Sequence, residues 1–422
     1  MSLDITFLGT GAAYPSPTRG ASATVIRFEG ECWLFDCGEG TQTQFMKSNL
    51  KAGKITKIFI THLHGDHFFG LPGLLCTISL QGSPDTNKLP VDIYGPLGLK
   101  DFLQRTMALS RSQLVFPYVV HELVPTPNQC PEEEWNDVFS GKRDEVACPE
   151  PQGDMIFLNP ADDSYFLVDG GPVMMKAFRL FHRIPSFGFL VEEKPRTGKL
   201  NIQKLKELGI LPGPLYGKLK DGVPITLENG RTISPTDVLE SPFPGRKICV
   251  LGDCSGVVGD GVMSLCSEAD ILIHEATLDD SQMDKAKERG HSTPKMAAEF
   301  AKLCKARKLV LSHFSQSCQA SIPHCPAVCE DAFYCGLVKG GHRSLLHFIL
   351  SQDPFYAGDV SIQMLDFPLS ILNSEIQKIV TGIFHLPFNW SGNQLKPGRR
   401  KSQRDFVSLQ FLVFLWEASR KG

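Results

Sequence analysis

Over residues 1–316, short apolar runs alternate with Gly-rich turns and helix-like segments, and each run stops at a polar residue. The runs at 5–8, 32–35, 55–60, 173–180, 247–251, 271–273 and 309–311 predict buried strands. In order, they lead into Gly9-Thr-Gly11, Asp36-Cys-Gly, the stretch that begins at Thr61, His182, Gly252-Asp253, His274-Glu275 and His313. Residues 294–304 read as a helix, with Thr293 as N-cap and Pro294 in the first position. Strands alternating with helical segments predict a layered α/β protein. Polar side chains at successive strand ends converge on one rim of a sheet, where a scaffold holds them rigidly.

The densest chemistry follows the run at 55–60. Thr61-His62-Leu63-His64-Gly65-Asp66-His67 places three imidazoles and one carboxylate within six positions. These donors suit zinc and similar borderline metals. In a tight loop, His62 and His64 can face one ion while Asp66 and His67 face a second. Two adjacent ions need about seven or eight protein ligands, commonly with a shared carboxylate. His182, Asp253 and His313 qualify as the remainder because each ends a predicted strand. His121, after Val119-Val120, is a weaker alternative. Such a pair of ions lowers the pKa of water from about 15.7 toward 7 and offsets charge on a phosphoryl oxygen. Asp66 can hold the attacking water and accept its proton. A leaving alkoxide needs an acid, for which His291 or His274, polarised by Glu275, is a candidate.

Bulk properties narrow the class. The chain has 422 residues, 42% hydrophobic and 21% charged, enough for one large domain or two ordinary ones. A net charge of −3 makes any nucleic-acid site a local basic patch rather than a global property. The N-terminus reads as neither a signal peptide nor a mitochondrial presequence, and no apolar stretch reaches bilayer length. Thirteen cysteines in that setting read as reduced thiols of the cytosol or nucleus. No membrane association is expected.

Two regions break the rhythm. Residues 192–222 hold seven basic side chains (Lys194, Arg196, Lys199, Lys204, Lys206, Lys218, Lys220) against four acidic ones, a local balance of +3. With Gly/Pro punctuation and Tyr216, the segment suits a protruding arm that grips a phosphate backbone, or equally a solvated insertion. Beyond Gln316 the pattern dissolves. Cys318, Cys325, Cys329, Cys335 and His324 crowd together without a Cys-x-x-Cys pair, and read as ordinary thiols rather than a further metal site. His342, His347 and His385, and the basic cluster at Lys396, Arg399, Arg400, Lys401 and Arg404, carry no motif.

His-x-His-x-Asp-His at a strand end resembles the metallo-β-lactamase superfamily. Phe7-Leu-Gly-Thr-Gly11, Asp36-Cys-Gly-Glu-Gly-Thr41, Phe181-His-Arg183, Gly252-Asp253, His274-Glu-Ala-Thr277, His291-Ser-Thr293 and His313-Phe-Ser315 narrow the resemblance to the short form of tRNase Z. Their order matches that family up to about Gln316. The resemblance implies a four-layer αββα sandwich with a protruding flexible arm. It also implies a zinc-dependent endoribonuclease that removes the 3′ trailer from precursor tRNA, leaving a 3′-hydroxyl on the tRNA and a 5′-phosphate on the trailer. His62, His64 and His182 would then bind one zinc and Asp66, His67 and His313 another, with Asp253 bridging the two and Asp66 accepting a proton. The basic segment becomes the tRNA-clamping arm of a homodimer. The resemblance divides the chain into a nuclease domain, residues 1–316, and a divergent tail, residues 317–422, expected to be disordered or poorly packed. Where the family continues His-Phe-Ser-x-Arg-Tyr, with the Arg on phosphate, this chain carries Ser317 and Cys318. That departure motivates one alternative, a catalytically impaired tRNA-binding or dimerising isoform; a second, a small-molecule hydrolase, keeps the fold and changes the substrate, and the basic arm argues against it.

Overall fold

A computed structural model describes residues 3–17, 19–81, 89–135, 153–227 and 229–316, together with the backbone of two short segments at 332–334 and 360–364. In chain order the first strands are β1 (Leu3–Gly9), β2 (Ala23–Phe28), β3 (Glu31–Phe35), β4 (Ile55–Phe59), β5 (Val91–Pro96), β6 (Tyr118–Leu123) and β7 (Met155–Ile156). They are followed by β8 (Tyr165–Gly170), β9 (Val173–Phe181), β10 (Ser186–Glu193), β11 (Ile225–Thr226), β12 (Thr232–Ile233), β13 (Lys247–Leu251), β14 (Gly256–Val258), β15 (Ile271–Glu275) and β16 (Leu309–Ser312). Beyond residue 316 come β17 (Ala332–Tyr334) and β18 (Val360–Met364).

The strands form two large sheets. One has the order β18-β1-β2-β3-β4-β5-β6-β7. The other has the order β14-β9-β10-β13-β15-β16-β17, with β8 also paired to β9. Alternation along each strand assigns its side chains to two faces. Phe35 and Phe59 turn inward and meet Phe189 of the second sheet, with ring centroids 5.0–5.8 Å apart. Their neighbours Leu34 and Ile58 turn outward against Phe45, Leu74, Leu75 and Leu103 of the helices Thr41–Lys47, Leu71–Gln81 and Leu99–Ser110. On the far side, Ala297, Ala298 and Ala301 of the helix Pro294–Leu303 pack on the second sheet. Thr293 caps that helix, accepting from the Met296 amide. The layers therefore run helix, sheet, sheet, helix, as the resemblance implies.

The predicted strands lie on the apolar runs, and two differences stand out. β15 continues through His274 and Glu275 instead of stopping before them. The region beyond residue 316 also contributes to both sheets: β17 pairs parallel to β16 (Val310↔Phe333) and β18 pairs parallel to β1 (Ile5↔Ile362). An edge strand offers a free row of backbone donors and acceptors. Val360-Ser-Ile-Gln-Met364 has the two-residue alternation that can use it, unlike the tail expected from the sequence. The remaining tail residues, among them His324, His342, His347, His385, the four clustered cysteines and the basic cluster at 396–404, lie outside the described residues.

Between β10 and β13 the chain makes an excursion with its own small core: Leu205, Ile210, Leu219, Ile225, Ile233 and Val238. This unit holds the β11–β12 pair and runs to residue 246, well past the boundary at 222 expected from composition. Its stalk is two chain segments joined at Arg196↔Phe243 and Leu200↔Leu239. At the base, the Arg246 guanidinium donates to both carboxylate oxygens of Glu193, and both side chains are largely buried. No helix among the described residues is long and apolar enough to cross a membrane.

Candidate metal centre

Five strand ends supply the rim. After β4, Ile60 still donates to Tyr94 O, and the chain leaves the sheet at Thr61. Asp36, just past β3, anchors that departure. It accepts from the Thr61 amide at 2.8 Å and the Thr61 hydroxyl at 3.0 Å. The chain then passes His62 and His64 into a helical turn, Gly65–Phe68, that carries Asp66 and His67. A side chain at Gly38 would stand 2.2 Å from Asp66 O, so the close approach of this turn depends on the missing Cβ.

Two groups of donors result. In the first, His64 Nδ1 lies 3.0 Å from His62 Nε2 and 3.1 Å from His182 Nε2, and Asp253 Oδ2 lies 3.6 Å and 4.0 Å from those two Nε2 atoms. In the second, His313 Nε2 lies 3.1 Å from His67 Nε2 and 3.2 Å from Asp66 Oδ2. Asp253 Oδ1 lies 3.4 Å from His67 Nε2. Donors about 2.0–2.1 Å from a tetrahedral zinc stand about 3.3–3.4 Å from each other, which these edges bracket. Asp253 turns one oxygen to each group, and its buried Oδ1 has no hydrogen-bond partner among the described residues. An ionised oxygen buried without a donor is costly unless a cation meets it.

Outer contacts fix which nitrogen points inward. His182 Nδ1 donates to Gly290 O at 2.6 Å, and His67 Nδ1 bonds Asp36 Oδ2 at 2.7 Å. The Thr61 hydroxyl donates to Asp36, so its lone pair takes the His62 Nδ1 proton at 3.0 Å. Thr277 behaves alike, donating to Glu275 Oε2 and accepting from His313 Nδ1 at 2.7 Å. Each of these four imidazoles thus presents a bare Nε2, as a metal ligand must.

The electrostatics follow from burial and neighbours. Burial pushes His62 well below the usual histidine range and His64 and His182 down to about 4, so the first group is neutral and ready to donate. Against burial, the His313 hydrogen bond and the His67 charge hold Asp66 below the usual carboxylate range. Against burial, His313, His67 and His62 keep Asp253 ionised. His67 is raised, against burial, by Asp253 and Asp36, so a cation there takes the place of a proton.

His313 is secured without the tail. Phe314 donates to Thr10 O at 2.8 Å, and its carbonyl accepts from Ala12 at 3.0 Å. Ser315 donates to Thr277 O at 3.1 Å. The departure after Gln316 therefore leaves His313 among these contacts.

His291 lies beside both groups, its Nδ1 3.0 Å from Glu275 Oε1 and 3.7 Å from Asp253 Oδ2. Against burial, Glu275 raises it to about 9, so it carries a proton beside the rim. His274 does not join the site. It is a strand residue adjacent to Glu275, so the two point to opposite faces. Its Nδ1 lies 2.8 Å from Glu275 O and its ring meets Phe300. The acid role expected for His274 is thus corrected in favour of His291. His121 is also apart, stacked on Tyr94 between Asp92 and Asp154.

The arm residues are dispersed over its surface. Lys194, Lys199, Lys204, Lys206, Lys218 and Lys220 are exposed. Lys194 pairs with Asp169 at 2.5 Å, and Lys199 lies over the Phe243 ring. Arg196 is half-buried in the stalk. Tyr216 packs partly on the arm core and donates to Ile210 O, which removes part of its ring from any RNA contact. The sequence reading missed Asp36, Thr61 and Thr277 as orienting residues. Asp36 and Thr61 each show one signal, a polar residue immediately after an apolar run; Thr277, four residues past its run, does not.

Comparison with known proteins bears on this geometry. A family described as Anti-Pycsar protein Apyc1 matches residues 3–101. The chain is 70% identical over 316 residues to zinc phosphodiesterase ELAC protein 1 of Homo sapiens, covering 75% of this chain and 87% of that protein. It is 40% identical over 315 residues to ribonuclease Z of Synechocystis sp., covering 74% and 83%. The crystal structure of human tRNase Z, short form, aligns over 74% of this chain and 93% of that one, with a TM-score of 0.55 and 58% identity.

Proposed function

The chain belongs to the tRNase Z family of zinc phosphodiesterases, and from that premise we propose that it removes the 3′ trailer from precursor tRNA, with two zinc ions per chain. The observation that carries the reading is Asp253, which turns one oxygen to each of two donor groups. His62, His64 and His182 would complete one site, and Asp66, His67 and His313 the other. When bound, the ions supply Lewis-acid chemistry, acidifying water and offsetting charge on the phosphoryl oxygens.

The chain's own groups do the rest. Asp66 is ionised and can take the proton of the attacking water, while the Ala13 amide holds its Oδ2 in place at 2.5 Å. His291 is protonated and positioned by Glu275, so it can deliver a proton to the departing 3′ oxygen of the tRNA. The trailer leaves with a 5′-phosphate only if that bond is the one broken. Lysines on the arm would follow the tRNA backbone as sequence-independent contacts. The reading includes a homodimer in which one subunit's arm presents tRNA to the other's metal centre. Sedimentation of the purified chain tests that assembly.

A precursor tRNA labelled at its 5′ end tests the activity. A zinc-dependent product ending in a 3′-hydroxyl at the trailer junction supports the reading. Absence of that product from zinc-loaded protein, with hydrolysis of a small phosphodiester retained, would favour the small-molecule alternative.

A further inference from the structure

The rim carries a cation that the chemistry above leaves unused. Arg183 directly follows His182 in the turn between β9 and β10, and its side chain is exposed. That turn lies against the loop bearing His291. A Cβ on Gly290, which has φ +70°, would stand 2.8 Å from His182 Nδ1 and 3.1 Å from the Arg183 amide nitrogen. Arg183 and His291 therefore occupy neighbouring positions on one edge of the metal centre. Among the described residues no carboxylate lies within ion-pair distance of the guanidinium.

A phosphodiester arriving here is anionic, and attack adds charge to its non-bridging oxygens. Three carboxylates crowd the donor groups, Asp66, Asp253 and Glu275, with His291 beside them as the one cationic side chain already assigned a role. The imidazoles of both groups are committed as ligands. We propose that Arg183 contacts a non-bridging oxygen of the phosphate being cleaved. Its charge is permanent, and its planar fork matches two phosphate oxygens where an ammonium offers one point. The inference rests on the phosphodiesterase reading and not on tRNA as such.

Arg183→Ala and Arg183→Lys test it, with zinc per chain measured on each protein. The substrates are precursor tRNA and bis(p-nitrophenyl) phosphate, which share only the phosphodiester. Arg183→Ala should retain its zinc and lose about 10–100-fold in kcat/KM on both. Arg183→Lys should recover part of that loss on both. The slope of log affinity for tRNA against log salt should fall by about one. Unchanged kcat/KM on both substrates overturns the inference. So does a loss confined to precursor tRNA, which would put Arg183 on a distant phosphate, and so does a loss matched by missing zinc. If wild-type protein hydrolyses only the small diester, the tRNA reading falls while Arg183 is still judged on that diester.

Discussion

The metal centre and the arm solve different problems with different means. At the centre, seven donors arrive from four strand ends, and outer partners such as Asp36, Thr61, Thr277 and Gly290 O hold four of the rings. On the arm, six exposed lysines ride on a six-residue core, fixed at its base by Glu193 and Arg246. Coordination tolerates errors of a few tenths of an ångström, so its geometry must be built into the rigid sheets. A phosphate backbone is a repeating target, so its partner needs charge and reach more than exact placement. The chemistry is therefore concentrated, and the recognition is spread out.

That division can be broken from either side. The largest effect is expected from Asp253→Ala, which removes the carboxylate shared by both donor groups. Zinc per chain should fall below half, and hydrolysis of both precursor tRNA and a small diester should drop about a thousandfold or more, read by metal analysis and initial rates. Next comes replacement of residues 196–243 by a short Gly-Ser linker, which keeps Glu193 and Arg246 in place. Precursor tRNA cleavage should fall about a hundredfold while the small diester is cleaved at the normal rate; equal losses on both would mean the arm supports the centre structurally. Asp36→Asn sharpens the comparison from the other side. It removes charge from the partner of His67 without touching a ligand, and zinc affinity should weaken about 10–100-fold in a competition titration. The smallest effect is expected from Lys204→Ala or Lys218→Ala. Each removes at most one phosphate contact and should reduce the salt slope of tRNA binding by about 0.7–0.9.

The same contrast explains what could be read in advance. The candidate donors at 62, 64, 66 and 67 share a short stretch, and His182, Asp253 and His313 each end an apolar run, so local pattern sufficed to single out the side chains that the fold brings together. His274 was misplaced because β15 is two residues longer than its apolar run, and one residue of register decides which face a side chain takes. Thr61 and Thr277 are small polar residues whose roles exist only once distant partners approach: Asp36, 25 positions from Thr61, and His313, 36 positions from Thr277. The arm was cut short at 222 because composition marks its lysines but not Ile225, Ile233 and Val238, which complete its core. The strand at Val360–Met364 has a two-residue alternation only five residues long, and the sequence on either side of it carries no sustained period.

The central claim is that Asp253 joins two metal sites which together cleave a phosphodiester of precursor tRNA. Its most direct test is zinc titration into metal-free protein with cleavage of 5′-labelled precursor tRNA followed at each step. About two zincs per chain should bind, with the 3′-hydroxyl product appearing as both sites fill and absent throughout from Asp253→Ala. Full cleavage with a single zinc, or cleavage by Asp253→Ala at the wild-type rate, would contradict it.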